Sequence, residues 1–148
     1  TWKQDAAGWY FTYPSGGYAA NKWEKVGNNW YYFNQEGYMV TKWQYINNKW
    51  YYLDPLSGAM SSGWRQDEQD GYWYYLNPVT GEVMSGWQLV GDNWYYLNAE
   101  VPEASWKFDE TSGQWVYEKQ SILPYGAMYR NMTTPDGYQV DSNGIWRK

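Results

Sequence analysis

The sequence predicts an all-β protein, a repeat solenoid of stacked β-hairpins ending in a C-terminal cap. Three observations carry that reading. First, twelve of the thirteen tryptophans fall in two recurring slots, and a repeat near 20 residues signals a solenoid or array. Second, the paired tryptophans stand 7 apart in four units and 9 apart in two. A hairpin loop absorbs two extra residues without losing strand register, whereas a helix would be put out of phase. Third, the segment at the second slot is aromatic on both faces, because neighbouring side chains of a strand point opposite ways. One such hairpin is marginal alone in water, and stacking on the next unit buries what it exposes.

The clearest unit is Trp43 to Met60. Trp43 opens one strand, Asn47-Asn48-Lys49 is a tight turn, and Trp50-Tyr51-Tyr52-Leu53 is the returning strand. Pro55 to Gly58 break the pattern before Met60. The first unit has Trp2, Trp9-Tyr10-Phe11 and Gly17-Tyr18-Ala19. The second has Trp23, Trp30-Tyr31-Tyr32-Phe33 and Gly37-Tyr38-Met39. The fourth has Gly63-Trp64, Trp73-Tyr74-Tyr75-Leu76, Gly81 and Met84. The fifth has Gly86-Trp87 and Trp94-Tyr95-Tyr96-Leu97, but lacks the Gly-x-Met tail. The sixth has Trp106, Trp115-Val116-Tyr117 and Gly126-Ala127-Met128. Residues 1–130 are thus read as six hairpin repeats and 131–148 as a capping segment, with turns at Pro135-Asp136-Gly137 and Asn143-Gly144 around a short strand.

Composition narrows the function. Of 148 residues, 13 are Trp and 18 Tyr, against 3 Phe, so the rings must serve as core, as binding surface, or as both. A net charge of −5 argues against a nucleic-acid partner, which would need clustered Lys and Arg. No stretch is apolar for long enough to span a bilayer. With no Cys and no His, the usual nucleophile and base pairs of catalysis are missing. No metal cluster or phosphate loop is visible, and no cofactor is expected. The acidic group Asp67, Glu68, Asp70 lies in the widened turn of the fourth unit and reads as turn chemistry, as do Asp109 and Glu110 in the sixth. The chain opens inside a repeat at Thr1 and is expected to be a mature product or an excised module.

Two Trp from one hairpin and a Tyr from the next can converge into an aromatic box. A quaternary ammonium has no N–H to donate but is attracted to ring faces, at roughly 0.5–2 kcal/mol per contact. Three rings then make a site in the roughly millimolar to micromolar range, and several such sites on one module bind a multivalent polymer by avidity. Flat rings suit sugar faces equally, and the residues alone leave that open. The Met slot serves either as an apolar wall of the box or as hairpin packing. The face carrying Tyr31 and Phe33 reads as core.

Gly86-Trp87, Trp94-Tyr95-Tyr96-Leu97-Asn98 and Gly58-Ala59-Met60 resemble the choline-binding repeats of pneumococcal and related streptococcal surface proteins and their phages. The likeness covers about residues 1–130, and the tail from Asn131 to Trp146 is similar to the usual end of such proteins. The resemblance implies a left-handed hairpin superhelix with choline held between consecutive hairpins. It implies one site at Trp23, Trp30 and Tyr52 with Met39, a second at Trp43, Trp50 and Tyr75 with Met60, and a third at Trp64, Trp73 and Tyr96 with Met84. Two further groups are Trp2, Trp9 and Tyr32, where Ala19 replaces Met, and Trp87, Trp94 and Tyr117, which lack the linking Gly-x-Met. Lys22 and Lys42 stand where the family has Gly.

The expected function is therefore a non-catalytic, noncovalent attachment module on a secreted, wall-attached protein at the bacterial cell surface. Its ligand is choline or phosphocholine on teichoic and lipoteichoic acids. The alternatives are a glucan-binding repeat module, the targeting part of a peptidoglycan hydrolase, and an adhesin with a host protein partner. A homodimer is a further open partner, and no membrane insertion is expected.

Overall fold

The computed structural model describes residues 1–100, 104–119 and 123–147, with the backbone alone for 104–107 and 116–119. The expected all-β class of hairpin repeats is what it shows. The strands are β1 (Trp2–Asp5), β2 (Gly8–Phe11), β3 (Lys22–Val26), β4 (Asn29–Phe33), β5 (Lys42–Ile46), β6 (Lys49–Leu53), β7 (Gly63–Gln66), β8 (Trp73–Leu76), β9 (Gly86–Val90), β10 (Asn93–Leu97), β11 (Ala104–Asp109), β12 (Gln114–Lys119), β13 (Met132–Thr133) and β14 (Gln139–Val140). Successive strands pair as separate two-stranded antiparallel sheets. No helix among the described residues is long and apolar enough to cross a membrane. The chain divides into two compact units, Thr1–Gly63 with Leu76–Val83, and Trp64–Tyr75 with Met84–Lys148.

Turn chemistry follows the sequence closely. Ile46 pairs with Lys49, so Asn47 and Asn48 form a two-residue turn, and both hold left-handed φ values, 52° and 69°. That is the type I′ geometry which suits strand twist and which Asn tolerates. Lys42 adopts φ 64° where Gly63 and Gly86 stand at 72° and 76°. The missing glycine therefore leaves a strained lysine. In the second repeat the left-handed residue is Asn21, at φ 52°, one place before Lys22.

In the first unit each connector works as a third strand between hairpins. The N–H of Met39 donates to the carbonyl of Trp9 at 2.8 Å, that of Met60 to Trp30 at 2.8 Å, and that of Val83 to Trp50 at 2.8 Å. The same three residues bridge back to Phe33, Leu53 and Leu76. These last residues of the returning strands are 0% exposed, so the core runs along the line where strand, connector and preceding hairpin meet. Gly58 lies directly under the Met39 thioether, and a Cβ there would collide with it; Gly81 sits under Met60 in the same way.

The second unit repeats the pattern, with Met128 N–H on the Trp73 carbonyl at 2.8 Å and Trp146 N–H on that of Trp94 at 2.9 Å. Gly144 lies under Met128, as Gly58 lies under Met39. Here the structure corrects the repeat count. Asn98 N–H donates to Ala127 O, Gly126 N–H to Asn98 O, and Tyr129 N–H to Tyr96 O. In the third repeat Asp54, Ala59, Gly58, Ser61 and Tyr52 make the same three bonds. Gly126-Ala127-Met128 is therefore the connector of the fifth repeat, and the hairpin of β11 and β12 is inserted into its loop. Trp106 and Trp115 mark an insertion and not a sixth repeat. The side chain of Asn98, 0% exposed, clasps the neck, with its Nδ2 donating to the carbonyls of Leu123 at 2.7 Å and Glu100 at 3.1 Å.

Two substitutions test this framework. Gly58→Ala combines a left-handed φ of 76° with the collision on Met39 and is expected to lower unfolding free energy by about 2–4 kcal/mol. Lys42→Gly relieves the strained φ and is expected to raise stability by about 1 kcal/mol. Urea unfolding followed by Trp fluorescence measures both, and effects of opposite sign are expected.

Candidate aromatic ligand sites

Strand alternation decides which rings reach the neighbouring hairpin. On β3 and β4, Trp23 is directly opposite Tyr32, and their rings pack at 5.2 Å. Tyr32 is thereby occupied inside its own hairpin. Tyr31 points the other way and meets Trp2 at 4.9 Å, edge to face. Trp2, Trp9, Tyr31 and Met39, with Leu56 and Ser57, line a cavity of about 330 Å³. Trp2 and Trp9 stand 6.4 Å apart and almost perpendicular, at 85°. Two walls come from the first hairpin, and the third wall and the Met come from the next.

That geometry corrects the expected ring sets. Tyr51, not Tyr52, reaches Trp23, with centroids 5.0 Å apart. Tyr52 is 2% exposed and packs on Trp43, its cross-strand partner, at 4.9 Å. The Met whose backbone docks on Trp30 is Met60, while Met39 belongs to Trp2 and Trp9. In the second unit Tyr95, not Tyr96, meets Trp64 at 4.8 Å, and Met128 docks on Trp73. Tyr96 packs on Trp87 at 5.2 Å, and Tyr75 on Trp64 at 5.0 Å across its own hairpin. The shared cause is period-two alternation: the Tyr two places after the second Trp shares that Trp's face and is used up locally.

Met84 also moves out of the expected set. The slot two places after Gly81 is Val83, whose N–H docks on Trp50. The Met84 N–H instead donates to Tyr75 O, the place that Val40 and Ser61 take against Tyr32 and Tyr52. Trp43 and Trp50 therefore have a branched aliphatic at the slot that carries a thioether at Met39, Met60 and Met128. Beside Trp50, Lys49 forms an ion pair with Glu82.

The fifth pair is completed from the tail. Trp87 meets Tyr138 at 5.9 Å and Trp146 at 6.5 Å. Trp87, Trp94, Asp136, Tyr138 and Trp146 line a cavity of about 360 Å³. Tyr117, expected in this group, has a side chain outside the described residues. The tail thus supplies what the next repeat would have supplied. The missed residues had signals in the sequence: Tyr31, Tyr51 and Tyr95 directly follow the second Trp, and Trp146 follows Gly144 at the spacing by which Met60 follows Gly58.

The second-slot indoles stay open to solvent, with Trp9, Trp30 and Trp94 each 41% exposed and Trp50 39%. Pure core filler would not leave four indoles in that state, since apolar rings gain most by full burial. The Tyr31/Phe33 face, expected to be core, is split: Phe33 is 0% exposed, and Tyr31 walls a cavity.

A model of the choline-binding repeat matches residues 20–64, and one of a cell wall binding repeat matches 62–78 and 85–100. The chain belongs to the choline-binding repeat family. Choline binding protein F of Streptococcus pneumoniae, crystallised with a tetrasaccharide-pentapeptide peptidoglycan analogue, is 40% identical over 99% of this chain and 46% of that one, with a TM-score of 0.62. CbpJ of Streptococcus pneumoniae TIGR4 is 34% identical over 99% and 57%, with a TM-score of 0.60. The pneumococcal cell wall endolysin of phage Cp-1, complexed with choline, is 34% identical over 100% and 37%, with a TM-score of 0.58. The chain spans between 37% and 57% of the length of these relatives. No curated protein sequence matches it.

The last box of this choline-binding repeat protein is held by carboxylates of the tail. Thr134 Oγ1 donates to Asp136 Oδ1 at 2.5 Å and Trp87 Nε1 to Oδ2 at 2.9 Å, and these bonds hold the carboxyl below its ordinary value of 3.8. Asp141 is likewise lowered, by the Ile145 N–H and then by Arg147. A lowered folded pKa stabilises above the unfolded value and is lost as pH falls through the folded one. The cap is therefore expected to stay docked from neutral pH down to about 4 and to loosen below that. The Trp87 indole N–H resonance, followed against pH, measures this.

Proposed function

We propose that this chain is a noncovalent cell-wall attachment module that grips choline groups of teichoic and lipoteichoic acids through its inter-hairpin aromatic boxes. The observation that carries the reading is the recurring wall set: two Trp of one hairpin, the Tyr directly after the second Trp of the next hairpin, and the connector Met. It occurs at Trp2, Trp9, Tyr31 and Met39, where the rings enclose a cavity. The same ring contact recurs between Trp23 and Tyr51 and between Trp64 and Tyr95.

The chemistry suits a trimethylammonium. Its charge is spread over methyl groups that cannot donate N–H bonds, so ring faces and a soft thioether replace water at little desolvation cost. Open, part-exposed boxes give weak single sites, and repetition along one chain converts them into firm attachment to a polymer bearing many cholines. The module works at the bacterial surface and is not itself catalytic. Any chemistry belongs to whatever sequence accompanies it, as the endolysin among its relatives illustrates.

The test separates the two tyrosines of one hairpin. Tyr51→Ala is expected to weaken choline binding at the Trp23/Trp30 box about five- to tenfold, with a modest change in melting temperature. Tyr52→Ala is expected to cost about 3–5 kcal/mol of stability, with the other boxes keeping their affinity. Calorimetric choline titration reads both, with glucose oligomers run alongside. A response to the oligomers and none to choline would overturn the reading in favour of a glucan module.

A further inference from the structure

The terminal box is built differently from the others. Trp146 takes the connector slot that Met39, Met60 and Met128 take elsewhere, docking its N–H on Trp94 O as Met39 docks on Trp9 O. Tyr138 and Trp146 stand perpendicular, at 89° and 5.8 Å. The cavity they share with Trp87 and Trp94 also contains Asp136. Among the described residues, the cavity at Trp2 and Trp9 is lined by Trp2, Trp9, Tyr31, Met39, Leu56 and Ser57, none of them charged.

Asp136 is well anchored there. Its two oxygens accept bonds from the Thr134 hydroxyl and the Trp87 indole, and the carboxylate also accepts from its own backbone N–H. An ionised carboxylate has about four lone-pair positions, so the group keeps capacity for a further donor. Among the described residues of the tail the one cation, Arg147, is paired with Asp141 at 3.0 Å.

From this we infer that the Trp87/Trp94/Tyr138/Trp146 box, with Asp136 in its wall, is a site for an alkylammonium group that carries at least one N–H, in preference to a trimethylammonium. Ring faces attract both kinds of cation. Only the N–H-bearing cation gains a charge-assisted hydrogen bond to the carboxylate. The inference rests on the reading of the Trp boxes as cation sites and assigns one of them a different selectivity.

Choline and protonated dimethylaminoethanol, which differ by one methyl group, are the probes. The full chain is titrated with each, following the indole N–H resonances of Trp87 and Trp9 by NMR. Dimethylaminoethanol is expected to saturate the Trp87 resonance at a concentration roughly tenfold lower than choline. No such preference is expected at Trp9. Asp136→Asn is expected to bring the two ligands within about twofold of each other at Trp87 and to leave Trp9 unchanged. Trp146→Met, which keeps the carboxylate, is expected to keep the preference and guards against simple loosening of the cap in Asp136→Asn. Equal saturation by the two ligands at Trp87 in the unmodified chain, or a preference that survives Asp136→Asn, would overturn the inference while leaving choline binding at Trp9 intact. Silence of both amines at Trp9 as well would overturn the cation-box reading and this inference with it.

Discussion

The structure depends on one backbone hydrogen bond, made again at each repeat. A connector residue gives its N–H to the carbonyl of the second-slot Trp in the preceding hairpin: Met39 to Trp9, Met60 to Trp30, Val83 to Trp50, Met128 to Trp73 and Trp146 to Trp94. A lone hairpin has two unpaired edges and two aromatic faces. This bond satisfies one edge group and at the same stroke sets the distance and register between hairpins. The left-handed glycine of the next connector then fits beneath the thioether, and Gly-x-Met is the sequence trace of that contact.

Register in turn makes the boxes. Once the connector is docked, alternation along the returning strand leaves no choice about which tyrosine faces backward. The ring directly after the second Trp goes to the preceding hairpin, as Tyr31 does to Trp2. The ring after that covers the first-slot Trp of its own hairpin, as Tyr52 covers Trp43. In the runs at Trp30, Trp50 and Trp94 the first tyrosine reaches the preceding hairpin and the second packs on the first-slot Trp of its own. A hairpin repeat poor in aliphatic residues thus obtains both functions from two neighbouring positions of the same type.

Much of this was legible in the sequence. The Trp spacing pointed to hairpins, the 7-and-9 variation favoured them over helices, and Asn47-Asn48 announced its turn. The tyrosine assignment was not read correctly because both tyrosines are the same residue type, and only knowledge of which face looks backward separates them. Met84 misled because Val83 occupies the connector slot, one residue earlier. The inserted hairpin was misread for a different reason. Trp106 and Trp115 carry the repeat spacing, but the bonds that close the fifth repeat join Asn98 to Ala127 across that hairpin, and long-range closure leaves no mark in local spacing. In the tail, Asp136 and Trp146 give no hint in the sequence that they line a cavity with Trp87 and Trp94.

The central claim is that the boxes at Trp2/Trp9, Trp23/Trp30 and Trp64/Trp73 take their third ring from the position directly after the second Trp of the next hairpin. The most direct measurement is a nuclear Overhauser experiment on the choline-saturated chain, observing contacts from the ligand methyl protons. The account predicts contacts to the rings of Tyr31, Tyr51 and Tyr95 and to the methyls of Met39, Met60 and Met128. Contacts to Tyr32, Tyr52 and Tyr96 in their place would contradict it.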